Sequence, residues 1–182
     1  VLIWYDLPNR DCFAKASNGE ICCKKKADGR CDYGTDGDCA DGLEEYKTGY
    51  VDPFVAILKK YQNKLPIAVV VEPDSLPNLA TNLFHPRCGC QATQTAYKEG
   101  IKYSLHQLAA EAPGVAVYLD ASHGGWLGWE NSMEKFMKLL KTLEIPRSIR
   151  GFATNVANYQ PLGVQCPWCP DQGFRNSYCL AG

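Results

Sequence analysis

Four short clusters of polar and aromatic side chains lie in the sequence, each directly after a run of apolar residues. The clusters run from Tyr5 to Asp11, from Glu72 to Ser75, from Asp120 to Trp129 and from Asn155 to Asn158. A second carboxylate nearby raises the pKa of a carboxyl group, which can then keep a proton for donation. Carboxylates and amides bind hydroxyl groups, and indole rings stack on the C–H faces of sugars. The combination favours acid-assisted cleavage of an acetal.

The sequence lacks the motifs that mark several other enzyme classes. It has no Gly-x-Ser-x-Gly turn, no His-Glu-x-x-His pair and no glycine-rich phosphate loop. The net charge is -1, so no strong field attracts nucleic acid or an anionic membrane. No apolar run is long enough to span a bilayer. We therefore expect no cofactor, no nucleic-acid partner and no membrane partner.

Four apolar segments are predicted to be strands that position these clusters. They are Val1–Tyr5, Ile67–Val71, Val115–Leu119 and Gly151–Ala153. The second is apolar at every position, which is typical of a strand covered on both faces in a parallel sheet. Because the carboxyl ends of parallel strands meet at one edge, the four clusters are expected to converge there.

Helical patterns separate the strands and predict an α/β fold. Asp52 could cap a helix that has Pro53 at its first position. A second apolar stripe runs from Ala96 to Leu108. Asn131 and Glu134 resemble a capping box that opens a third helix.

Ten cysteines predict up to five disulfides and an oxidising compartment. Residues 20–42 are rich in Cys, Gly and Asp and are predicted to be a cross-linked insertion, and residues 160–182 a long loop. We interpret Cys166 and Cys169 as structural, because neither a second zinc-ligand pair nor a strand–helix context accompanies them. The aspartates of the insertion do not match an EF-hand calcium loop. No metal site is expected.

Four ordered motifs resemble those of glycoside hydrolase family 6. They are YDLPNRDC at residues 5–12, VVEPDSL at 70–76, YLDASHGGWLGW at 118–129 and RGFATNVANY at 150–159. Together they extend over nearly the whole chain. The resemblance implies a distorted, incomplete (β/α) barrel that hydrolyses β-1,4-glucosidic bonds of cellulose with inversion.

The resemblance also implies a role for individual residues. Asp74 matches the general acid, and Asp11 the neighbouring carboxylate that tunes it. Ser17 matches a residue that helps to hold the attacking water, and Tyr5 one beneath the distorted sugar ring. Sugar-contacting positions are matched by Asp120, His123, Trp126, Trp129 and Asn158, with Asn155 at the same rim. Cys12 and Cys88 match a disulfide pair.

Each assignment has a structural alternative. Asp74 could cap the turn after Pro73, and Asp11 could pair with Arg10. Trp126 and Trp129 could both lie in the core. His123 could be a structural histidine with its hydrogen bonds satisfied.

Family catalytic domains are considerably longer than 182 residues, so residues 1–182 are interpreted as a partial family 6 catalytic domain. The alternative is an inactive or binding-only cellulase-like protein. We expect a secreted monomer that acts on cellulose and cello-oligosaccharides. The sequence does not decide between exo and endo action, and the carboxylate that the family proposes as base lies beyond this chain.

Overall fold

A sheet of four parallel strands lies at the centre of the fold. The computed structural model describes residues 1–34 and 37–160. The strands are β1 (Leu2–Trp4), β2 (Ala68–Val71), β3 (Ala116–Asp120) and β4 (Gly151–Ala153). They are adjacent in chain order, β1-β2-β3-β4, and Trp4 pairs with Val71 and Val71 with Leu119. The predicted α/β class with a parallel sheet is confirmed.

Helices connect the strands. They are α1 (Ala40–Glu44), a π-helical segment (Glu45–Val51), α2 (Asp52–Tyr61), α3 (Ser75–Thr81), α4 (Pro86–Gly89), α5 (Gln91–Glu111), α6 (Gly124–Leu127) and α7 (Glu130–Thr142). Between β1 and β2 the helical stretch is continuous from Ala40 to Tyr61. The helices of this stretch and α5 contact one another beside the sheet.

Two predicted helix caps were wrong. Asp52 lies inside the continuous helical stretch, and its carboxylate accepts a hydrogen bond from the Tyr103 hydroxyl at 2.8 Å instead of capping a first turn. Helix α7 begins at Glu130 after Trp129, with no side-chain capping bond. Asn131 is therefore already within the helix, where it cannot act as the cap.

The core packs against β1, β2 and β3. Val69, Val70 and Val71 are all buried, as the apolar run predicts for a strand covered on both faces. Trp4 is fully buried, and its indole N–H donates to the Tyr46 hydroxyl at 2.9 Å. Burial of the largest aromatic side chain of the core therefore leaves no unpaired donor.

Within residues 1–34 and 37–160, three disulfides cross-link the chain. Cys12 is bonded to Cys88, the pair that the family resemblance implies. Cys22–Cys31 and Cys23–Cys39 lie in the insertion, which contains an antiparallel bridge between Lys25 and Cys31. Cys90 forms no disulfide with any cysteine of the described ranges. Cys166, Cys169 and Cys179 lie outside the described residues.

The cross-linked insertion was predicted to extend to residue 42, but α1 begins at Ala40. The reason is packing at the end of the insertion. Cys39 and Leu43 are buried, and a side chain at Gly42 would meet the carbonyl oxygen of Cys22 at 2.6 Å. The helix start is thus fixed by contacts that are distant in sequence.

Over residues 1–34 and 37–160, none of the helices combines the length and the apolar character needed to cross a bilayer.

Candidate active site

A cleft of about 440 Å³ opens at the carboxyl ends of the strands. It is bounded by residues that follow β1, β2, β3 and β4, together with Ile3 of β1. The lining residues are Ile3, Tyr5, Asp11, Phe13, Ala14, Ser17, Pro73, Asp74, Asn78, Trp126, Val156, Ala157 and Asn158. The convergence of the clusters at one rim, expected from the parallel sheet, is therefore present.

Left-handed backbone conformations are concentrated at this rim. In the part of the chain that the structure describes, the non-glycine residues with positive φ are Asn9, Asp11, Glu72, Asp74, Ser122, Asn155 and Asn158, with φ between 49° and 64°. Each such residue costs of order 1–2 kcal/mol relative to an ordinary conformation. The turns after all four strands thus hold strained residues, and two of these, Asp11 and Asp74, are carboxylates of the cleft wall.

Asp74 lies on the cleft wall in an environment that favours its protonated form. Its side chain is nearly buried, and its Oδ1 has no hydrogen-bond partner within the described ranges. Burial raises the pKa of Asp74 to about 7, and the negative charges of Asp120 and then Asp11 add to the increase. Asp74 is also the residue before helix α3, but it makes no side-chain capping bond. This geometry argues against the alternative that Asp74 is only a cap.

Asp120 lies behind Asp74 and does not line the cleft. Its Oδ2 accepts hydrogen bonds from the backbone N–H of Asp74 at 2.8 Å and of Ser122 at 3.1 Å. Only 2% of Asp120 is exposed, and burial raises its pKa to about 6 against the effect of these two bonds. Its position suits tuning of Asp74 better than contact with a sugar. The negative charge of Asp120 also raises the pKa of Asp74 more than the negative charge of Asp11 does.

Asp11, Ser17 and Tyr5 are brought together on the first loop. The Ser17 hydroxyl donates to Oδ2 of Asp11. Burial and the adjacent Asp11 raise the pKa of the Tyr5 hydroxyl. Arg10 stacks on the Tyr5 ring, with its Cζ 4.3 Å from the ring centroid. Arg10 forms its ion pair with Asp6 at 3.2 Å, so the alternative pairing of Arg10 with Asp11 is not present.

The two tryptophans of the third cluster differ in position. Trp126 is half-buried at the cleft wall, and its indole N–H donates to Oγ1 of Thr81 at 2.7 Å. Trp129 is 40% exposed outside the cleft lining, and its N–H donates to the carbonyl of Gly125 at 3.2 Å. Neither is a fully buried core residue. Trp126 is therefore the stronger candidate for a sugar platform.

His123, Asn155 and Asn158 also differ in their surroundings. The His123 ring is 6.1 Å from the Trp126 ring, and its buried Nδ1 has no partner within the described ranges. Burial lowers the pKa of His123. Asn158 lines the cleft. Asn155 instead closes a turn, because its side chain forms hydrogen bonds of 2.9 and 2.7 Å with the backbone of Gln160.

The comparisons with known proteins agree with this geometry. A family model described as Glycosyl hydrolases family 6 matches residues 1–172. The chain belongs to glycosyl hydrolase family 6. Exoglucanase 3 of Agaricus bisporus is 40% identical over 179 residues, which are 96% of this chain and 36% of that protein. Exoglucanase 2 of Hypocrea jecorina is 42% identical over 93% of this chain and 32% of that protein.

Solved structures of family 6 members are similar as well. Cellobiohydrolase II of Humicola insolens, solved with glucose and cellotetraose, matches with a TM-score of 0.70 and 38% identity over 91% of this chain and 41% of that one. The catalytic domain of a Cellulomonas fimi family member matches with a TM-score of 0.69 and 39% identity over 88% of this chain and 33% of that one. This family 6 chain spans about a third of the length of the curated relatives it matches.

Glu72 of this family 6 chain was not assigned a role from sequence. Its Oε1 accepts hydrogen bonds from the Tyr46 hydroxyl at 2.8 Å and the Asp6 N–H at 3.1 Å, and its Oε2 from the Leu7 N–H at 3.3 Å. Burial raises its pKa to about 8. The available signal was its place directly after an all-apolar strand, where a carboxyl group must find partners inside the protein.

No group of three or more metal-ligating side chains occurs within the described ranges of this family 6 chain. The cleft lining supplies carboxyl and hydroxyl groups of its own. A nearly buried carboxyl with a pKa near 7 can hold a proton, and two further carboxylates and a hydrogen-bonded serine lie nearby. This arrangement can donate a proton to a leaving oxygen.

Proposed function

We propose that this chain forms part of an enzyme that hydrolyses β-1,4-glucosidic bonds of cellulose and cello-oligosaccharides by single displacement with inversion. The observation that carries the proposal is the raised pKa of Asp74 at the wall of the cleft. A glycosidic bond to a poor leaving group, such as a sugar hydroxyl, is cleaved with protonation of the leaving oxygen, and a carboxyl that keeps its proton near neutral pH supplies that proton. Relatives named exoglucanase and cellobiohydrolase support the same reaction.

In the proposed reaction, Asp74 donates its proton to the glycosidic oxygen as the bond to the anomeric carbon breaks. Water attacks that carbon from the opposite face, and its own proton passes to a base. Asp11 and Ser17, which are hydrogen-bonded to each other, help to hold this water. Tyr5 lies beneath the reacting ring, and Trp126 and Asn158 bind neighbouring sugars. A polymeric substrate of this kind is met outside the cell, which agrees with a secreted, disulfide-linked protein.

The role of Asp74 is tested by Asp74→Asn in the full-length protein, since the change keeps the shape and removes the transferable proton. Hydrolysis of cellulose should fall by roughly 10²–10⁴-fold. A substrate with a good leaving group needs less protonation, so its hydrolysis should fall much less. Asp28→Asn, at an aspartate of the insertion outside the cleft lining, is the control. Equal losses on both substrates in Asp74→Asn would contradict the assignment.

The stereochemistry tests the second half of the proposal. Single displacement on a β-linked glucan yields the α-anomer first, because water attacks once from the face opposite the leaving group. Proton NMR during the first minutes of hydrolysis separates the two anomers. Initial release of the β-anomer would establish retention and exclude the proposed displacement.

A further inference from the structure

We infer that Phe13 and Phe84 form an additional sugar-binding platform that continues the cleft along a β-glucan chain. The inference rests on the proposed function for the identity of the ligand. Phe13 and Phe84 lie outside the four sequence motifs, and neither was assigned as a sugar contact. Phe84 lies in the loop between α3 and α4.

The two phenylalanine rings face water next to each other. Phe13 is 47% exposed and lines the cleft together with Asp11 and Asp74. Phe84 is 76% exposed, and the ring centroids of Phe13 and Phe84 are 6.0 Å apart with an interplanar angle of 73°. The ring of His85 packs on Phe13 at 5.2 Å. Phe13 therefore belongs both to the cleft and to this aromatic surface.

The loops that carry these rings are cross-linked to each other. The disulfide between Cys12 and Cys88 joins the residue before Phe13 to helix α4, which begins two residues after Phe84. Arg87 donates a hydrogen bond to the carbonyl of Ala14 and lies 5.3 Å from the ring centroid of Tyr33, which belongs to the insertion. A surface that is already fixed loses little conformational entropy when it binds a ligand.

The chemistry of this surface fits a pyranose better than a charged ligand. Rings with exposed faces attract the C–H faces of sugars and cover apolar surface that otherwise contacts water. Because Phe13 is part of the cleft lining, a glucan chain that occupies the cleft can contact it. Continuity with the cleft thus identifies the occupant as more of the same polymer.

The experiment compares a long with a short oligosaccharide by calorimetry in the full-length protein, in an Asp74→Asn background that slows cleavage. Phe84→Ala should raise the Kd for cellohexaose roughly 3- to 10-fold, the scale of one aromatic contact. The Kd for cellotriose should rise less, so the preference for the longer sugar shrinks. Phe84→Trp keeps a ring and should keep that preference. Leu83→Ala, at the adjacent exposed residue, is the matched control.

Three results would overturn the inference: equal weakening of both sugars by Phe84→Ala, no weakening of either, or the same loss in Leu83→Ala. Failure of the proposed function would be detected in a separate measurement: the full-length protein without substitutions would not cleave cellulose or cello-oligosaccharides. In that case a length-dependent loss in Phe84→Ala would still establish the platform as a sugar-binding site.

Discussion

At the scale of single residues, the proton on Asp74 depends on what surrounds it. Desolvation makes the ionised form costly, and the negative charge of Asp120 adds to that cost more than the charge of Asp11. Asp120 also accepts a hydrogen bond from the backbone N–H of Asp74, so it helps to fix the position of Asp74 as well as raising the pKa of that residue. The two acidic neighbours of Asp74 therefore differ in position: Asp120 lies behind the cleft wall, and Asp11 lines the cleft.

Asp120→Asn should move the alkaline limb of the pH profile to lower pH. In the proposed mechanism Asp74 acts only when protonated, so kcat/KM should fall as the pH rises through the pKa of Asp74. Removing the charge of Asp120 lowers that pKa, and the limb should shift by roughly 0.5–1 pH unit. Asp11→Asn should shift it less. The measurement is kcat/KM between pH 4 and 9, and a larger shift in Asp11→Asn would reverse the proposed order of the two charges.

At the scale of elements, hydrogen bonds and a disulfide join the loop after β1 to the segment after β2. Glu72 accepts the backbone N–H groups of Asp6 and Leu7 close to the end of β1. The disulfide between Cys12 and Cys88 joins the same loop to the segment that follows α3. The loop that bears Asp11 and Ser17 is thus held to the segment that bears Asp74 by several hydrogen bonds and by one disulfide.

Replacing both Cys12 and Cys88 with serine should lower the free energy of unfolding by about 3–5 kcal/mol, because the bond closes a long loop in the unfolded chain. Denaturant titration measures the loss, and peptide mapping without reduction should recover the two cysteines linked. Replacing Cys22 and Cys31, whose separation is 9 residues against 76, should cost less. Recovery of Cys12 linked to a cysteine of the insertion would contradict the pairing.

At the scale of the whole molecule, the sheet was predictable and several contacts of the site were not. The apolar run ending at Val71 determines a strand covered on both faces, and strand ends in a parallel sheet share one edge. The burial of Asp120 depends on contacts with Asp74 that local pattern does not encode. Trp126 lies within the short helix α6 and Trp129 lies just after it, and only the structure separates the cleft-lining ring from the exposed one.

The stability of the whole protein should increase as the pH falls from 8 to 5. Glu72, Asp74 and Asp120 have folded-state pKa values of about 8, 7 and 6, above their ordinary values. Protons bind the folded state more tightly, so this contribution is complete below about pH 4 and is lost as the pH rises through 6–8. Thermal unfolding followed by circular dichroism should give a Tm that increases as the pH falls from 8 to 5.

Glu72→Gln mimics the protonated carboxyl and is the matched variant for this measurement. It should flatten the pH dependence of Tm between 5 and 8, since one of the three titrating groups is gone. Glu72→Ala removes the acceptor of the Asp6 and Leu7 amides and should instead lower Tm at every pH. An unchanged slope in Glu72→Gln would show that Glu72 is already ionised in the folded protein.

The strand order also bears on how the protein is made. Because β1, β2, β3 and β4 are neighbours in the order of synthesis, each new strand leaving the ribosome meets the edge formed by the strand before it. Domains fold as they emerge, and pairing with the nearest preceding strand avoids waiting for a distant partner. Cys88 emerges long after Cys12, at the point where β1 and β2 are both available. Oxidation at that moment would lock the first βα units together before the strand that carries Asp120 has emerged.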